Sequence, residues 1–144
     1  MTEPCRSRHV SIRRLAALAG EVYKLSLASV HPREDAVLLL EAARVQALTV
    51  YRKIRGSCLE RRVAESSQLA FEIASLEPLG RGSLALALAA LLEGLALNKI
   101  LVDPDEALRA LEEALASGDV ECLRRIMLSV VRPLQRSKSE GGGG

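Results

Sequence analysis

The sequence predicts an all-α fold, a compact bundle of five to seven mostly antiparallel helices with a buried central helix near 84–100. Three observations carry that expectation. Of the 144 residues, 49% are hydrophobic, yet only Tyr23, Tyr51 and Phe71 are aromatic, so the core has to be built from Leu, Ala, Val and Ile. Leu and Ala are strong helix formers, whereas strands draw on aromatic and β-branched residues. Apolar residues also recur at helical spacing, and the short breaks between periodic stretches join neighbouring helices antiparallel. A chain of this length buries one core. The expected organisation is a flexible N-terminus at 1–10, a single helical domain at 11–135 and a disordered tail at 136–144 ending in GGGG.

Taken in order, the first helix runs from about Ser11 to Ser29, with Ile12, Leu15, Ala19, Val22 and Ser26 along one stripe. The second starts at His31-Pro32 and runs to about Arg55, because proline fits a first turn whose N–H groups are unpaired anyway. Gly56 stops it. In "SCLE" at 57–60, Ser57 and Glu60 can each accept from the other's backbone N–H, a capping box that restarts the chain as a third helix ending near Leu76. Pro78, Gly80 and Gly82 mark a loop.

The fourth helix, about Ser83 to Ile100, is interrupted only by Glu93, Asn98 and Lys99. A helix apolar on all sides belongs in the interior, and Leu88, Leu91, Leu92 and Leu95 are its expected centre. The fifth opens at "DPDEA", 103–107, with Asp103 as cap, Pro104 first, and Asp105 and Glu106 answering the helix dipole. Ser117-Gly118 closes it. The sixth follows Asp119 and carries Leu123, Ile126, Val130 and Leu134 on one side.

"VHPREDAVLLLEA" at 30–42 and "VDPDEALRALEEA" at 102–114 share one pattern, with His31 standing where Asp103 caps. His31 is therefore read as part of a helix start and not as a ligand. Two side chains four apart, His31 and Asp35, do not make a metal site. "LAGEVY" at 18–23, followed by Ala36, Leu40 and Ala43, resembles a tetratricopeptide-type hairpin, as does Ala107, Leu111 and Ala114 later on. An Ala precedes Gly20 and the connection to Ala36 is too long, so the likeness is read as convergence on small residues at close helix contacts.

Net charge is +2, which excludes a grossly basic nucleic-acid coat. The charge is uneven: residues 1–62 hold 12 Lys+Arg against 6 Asp+Glu, and residues 63–144 hold 8 against 12. Cys5, Cys58 and Cys122 are odd in number and far apart, so neither a zinc knuckle nor a disulfide framework is expected, and a reducing cytoplasm is the simplest setting. "MTEPCRSRHVSIRR" lacks an apolar core for a secretory signal. "LALALAALLEGLAL" at 84–97 is too short and too soon charged for a membrane span. Scarce Asn and Gln beside abundant Arg, Glu, Leu and Ala give a thermophile-like composition.

No nucleophile elbow or phosphate-binding loop is present; "GRGS" at 80–83 lacks the loop's lysine. Cys58 sits in a first turn, where a dipole lowers a thiol pKa, but no histidine neighbours it in sequence. Catalytic residues, metal ligands and cofactors are all expected to be none. The basic residues are the functional lead. Arg44, Arg52, Lys53, Arg55, Arg61 and Arg62 gather around the 55–57 turn, with Arg44, Arg52 and Arg55 in one angular sector. Arg124, Arg125, Arg132 and Arg136 form a second strip on the last helix. Guanidinium groups engage phosphates well, though no aromatic residues interleave to stack bases.

The expected function is a non-enzymatic helical interaction or scaffold subunit of a larger cytoplasmic assembly, with other subunits or a second copy as partners and no membrane. The alternative is a nucleic-acid-associated protein, like a small helical subunit of a ribonucleoprotein complex, whose arginines contact the backbone of DNA or RNA. A helical enzyme whose acids converge only in space is the third reading.

Overall fold

Ser11 opens the first helix: its Oγ accepts a hydrogen bond from the Arg14 N–H at 3.0 Å, satisfying one of the unpaired amides of a helix start. The computed structural model describes residues 5–26 and 32–134, and this helix, α1, spans Ile12–Ser26. The predicted end at Ser29 and the predicted role of His31 fall among residues 27–31, outside the described residues. Leu15 and Val22 are buried with Ile12 and Ala19 packed beside them, so the predicted stripe faces the core from Ile12 to Val22.

The helix α2 spans Ala36–Lys53 and so begins later than the His31-Pro32 start that the sequence suggests. Backbone bonds explain the delay. The Arg33 N–H donates to the Pro78 carbonyl at 2.9 Å, and the Ala36 N–H donates to the Arg33 carbonyl at 3.0 Å. Pro32–Asp35 are thereby drawn into a turn against the loop at 77–82. Asp35 stands at the cap position, but its carboxylate pairs with Arg33 (Nε to Oδ1, 3.1 Å) and does not cap. The matching stretch behaves as predicted: α5, Pro104–Ser117, has Pro104 in its first turn, and Asp103 accepts from the Asp105 N–H at 2.8 Å.

The capping box forms. Ser57 Oγ accepts from the Glu60 N–H at 3.1 Å, Glu60 Oε1 accepts from the Ser57 N–H at 2.9 Å, and α3 runs Cys58–Leu76 to a left-handed Glu77. This helix packs against α2, α5, α6 (Val120–Val130) and α4 (Ser83–Leu97), and with α4 it forms the centre of the bundle. Leu86, Leu91 and Leu95 of α4 are fully buried, whereas Leu88 and Leu92 are half-buried and Ala85 and Ala96 are exposed, so its covering is one-sided. Gly80–Leu97 is long and apolar enough to cross a membrane by length and composition; here much of it is spent on the protein core. Where α3 and α4 cross, a Cβ at Gly94 would lie 2.6 Å from Ser66 Oγ, which is why glycine stands there.

Lys99, at φ 59°, turns the chain out of α4. Ile100–Leu101 (β1) then pairs antiparallel with Arg132–Pro133 (β2), and the Leu134 N–H donates to the Lys99 carbonyl at 2.7 Å. The ribbon corrects two expectations: α4 stops before Ile100, and α6 carries neither Arg132 nor Leu134. The left-handed Lys99 accounts for the first and Pro133 for the second, since the residue before a proline is steered out of the helical region. Within α6, Leu123 and Met127 are fully buried. The tetratricopeptide-like spacing does not do that family's packing. A Cβ at Gly20 would meet nothing within 4 Å, and Tyr23 is half exposed. The predicted tail at 136–144 lies outside the described residues.

Candidate anion-binding face

Residues 5–10, expected to be flexible, are fastened across the start of α3. Cys5 is disulfide-bonded to Cys58, correcting the expectation that no disulfide forms; the cysteine pattern thus gives no argument for a reducing compartment. Cys58 has no thiol to activate. Tyr51, buried near the end of α2, donates its hydroxyl to Ser7 Oγ at 2.8 Å. Arg62 reaches the same oxygen through Nε at 2.8 Å and the Arg6 carbonyl through Nη2 at 2.6 Å. Asn98, at the end of α4, accepts from the Arg8 N–H at 2.8 Å and returns its amide to the Arg8 carbonyl at 2.9 Å. Val10 is buried.

His9 completes this seam. Its ring meets Tyr51 edge-on at 4.9 Å, and Nδ1 lies 2.7 and 2.8 Å from the two carboxylate oxygens of Glu65. Glu65 is buried on α3, and burial pushes its carboxyl above the ordinary range while the hydrogen bond from His9 opposes the shift.

The predicted basic residues divide sharply. Arg52 and Lys53 are exposed in the last turn of α2, and Arg55 is exposed beyond its end, in the turn to α3. Arg61 lies over the Tyr51 ring, 4.2 Å from its centroid, and donates to the Tyr51 carbonyl at 3.2 Å. These residues, with Arg62, do share one region. Arg44 stands apart: its Nε lies 2.5 Å from Glu41 Oε1, and that hydrogen bond holds the Glu41 carboxyl below its usual range.

The second strip does not form as predicted. Arg124 pairs with Glu121, Arg125 is exposed on α6, and Arg132 sits on β2 beside Asp103 and Glu106 at a recess of about 250 Å³. Arg136 lies outside the described residues.

Sequence reasoning missed Arg6, Arg8 and Lys99. With Arg62, Asn98 and Leu97 they line a concavity of about 330 Å³, and no carboxylate is among its lining residues. The signal that could have found Arg6 and Arg8 was the pairing of Cys5 with Cys58, which lays the intervening residues beside Arg62. Among the described residues, no three His, Cys, Asp or Glu side chains converge as metal ligands. The hydroxyl of Ser83, in the sequence "GRGS", accepts from the Leu79 N–H at 2.9 Å inside the protein and faces no ligand. No protein-family model, curated protein or solved structure matches the chain, so no role is inherited from a relative.

Proposed function

We propose that this chain is a non-enzymatic helical interaction subunit of a larger assembly, and that it docks through the outer face of α2, first of all onto a second copy of itself. One observation carries the reading: Leu38, Val37 and Val45 are 72%, 60% and 50% exposed on the side of α2 turned away from the core. Large apolar side chains concentrated on one helix face mark a docking surface more strongly than the same residues scattered singly. The outward row, Leu38, Ala42, Val45, Thr49 and Lys53, recurs at steps of three and four residues along one side of α2.

Charge complementarity selects the partner. Glu34 and Asp35 stand at one end of this row, and Arg52 and Lys53 stand at the other. An antiparallel copy related by a two-fold axis between Ala42 and Val45 sets acids over bases at both ends and buries the apolar middle. Sedimentation equilibrium of the purified protein is the test. A dimer that Val45→Arg converts to a monomer of unchanged helicity is the expected result, and a wild-type monomer at tens of micromolar overturns the self-association.

A second reading, backbone contact with DNA or RNA, is favoured by the gathering of Arg6 and Arg8 with Arg62 near the predicted basic turn. Its test is the salt dependence of binding to a single-stranded oligonucleotide, which falls linearly with the logarithm of salt when phosphates are neutralised. Binding indifferent to salt, or none at low salt, removes it.

A further inference from the structure

We infer that the concavity lined by Arg6, Arg8, Arg62 and Lys99 is a discrete binding site for phosphate groups, an inference that rests on the second reading above. Three arginines and one lysine are among the residues lining the same recess of about 330 Å³, and no acidic residue is. Four cationic residues around one hollow without a carboxylate give it a positive potential that favours an anion. The C-terminal end of α4 contributes only about half a negative charge against these four.

Three further features point the same way. The Arg62 fork is pre-positioned, with Nε held by Ser7 Oγ and Nη2 by the Arg6 carbonyl, so little side-chain freedom is lost when its remaining N–H groups meet a ligand. Arg8 is set by its backbone, clasped by Asn98 on both its N–H and its carbonyl, so its position beside the recess is fixed. Lys99, moreover, occupies a left-handed position after α4, where glycine or asparagine ordinarily stands. A lysine there is conformationally costly, and its ammonium is the feature that a glycine would lack.

The chemistry recognised is a phosphate group, supplied either as a phosphodiester of a nucleic acid or as the free phosphates of a small metabolite. Calorimetric titration of the intact protein with pyrophosphate, and in parallel with a 12-nucleotide single-stranded RNA, separates these sources. The decisive variants are Lys99→Gly and Arg8→Gln. The first removes a charge while relieving backbone strain, so its melting temperature should rise and lost binding cannot be ascribed to unfolding.

The expected result is one pyrophosphate per chain, with an affinity weakened about tenfold by either variant. If RNA binds in the same site, both variants weaken it too. Pyrophosphate binding without RNA binding leaves the site standing for a small phosphorylated ligand and removes the nucleic-acid reading. RNA binding that both variants leave unchanged, with no pyrophosphate bound, overturns the site and keeps that reading. Failure of both probes overturns both.

Discussion

Gly94 lies where the two central helices come closest, and replacing it by alanine tests that closeness directly. The added Cβ would stand 2.6 Å from Ser66 Oγ, 3.4 Å from Ser66 Cβ and 3.6 Å from Val10 Cγ2. The first of these distances is a clash and the other two are ordinary contacts, so one oxygen atom decides the sign. Overpacking a filled core costs about 1–3 kcal/mol, while Gly to Ala within a helix returns about 1 kcal/mol. Gly94→Ala should therefore destabilise the protein by about 1 kcal/mol net. In a Ser66→Ala background the offending oxygen is gone and only the propensity gain remains, so the same change should stabilise by about 1 kcal/mol.

The two backgrounds thus differ by a coupling of about 2 kcal/mol, well beyond the additivity error of independent sites. Urea denaturation of the four proteins measures it, each kcal/mol moving the midpoint by about 0.3–1 M at constant slope. Additive effects within about 0.5 kcal/mol would mean that Ser66 simply turns its hydroxyl aside, and the close-crossing argument would fail.

Leu91→Asp should unfold the domain, because Leu91 is fully buried and a carboxylate there has no partner; a normal melting curve by circular dichroism refutes the assignment. Cys58→Ser should lower stability by about 4 kcal/mol in oxidising buffer, the loop-closure value for a disulfide spanning 53 residues, and equal melting temperatures with and without reductant refute it. Glu65, whose folded pKa is raised, holds its proton more tightly folded than unfolded, so its contribution is most favourable at low pH. That contribution is lost as pH rises from the ordinary carboxylate value through the raised one. The stability of the wild type minus that of Glu65→Gln should accordingly fall over that interval and be flat below it, and a difference that rises with pH contradicts the burial argument.

What could be read from the chain was chemistry completed within a few residues. Ser57 and Glu60 are three apart and close their box locally, and Asp103 caps α5 two residues on. The same local pattern failed at α2, because Asp35 was taken by Arg33 and the Arg33 amide by Pro78, a residue remote in sequence. The basic turn was legible in Arg52, Lys53, Arg55, Arg61 and Arg62, which flank one another along the chain. The recess beside it was not, since it needs Arg8 to meet Asn98 across 90 residues and Cys5 to meet Cys58 across 53. Such pairings leave no periodicity. Arg132 was misplaced because the predicted helix ran on past Val130, although Pro133 stood there to end it.

Asn98 and Lys99, adjacent in sequence, hold the first described segment and the last: Arg8 is bound to one, Leu134 to the other. Tension applied to the first of those segments would nevertheless reach the Cys5–Cys58 bond before the Arg8–Asn98 clasp, because Cys5 stands ahead of Arg8 in the chain, and so would fall on the start of α3. While it is intact, that bond keeps everything between the two cysteines from paying out, so only the stretch from α3 onward can extend. In mechanical terms the disulfide is a locked reel, and its reduction sets how much line is released.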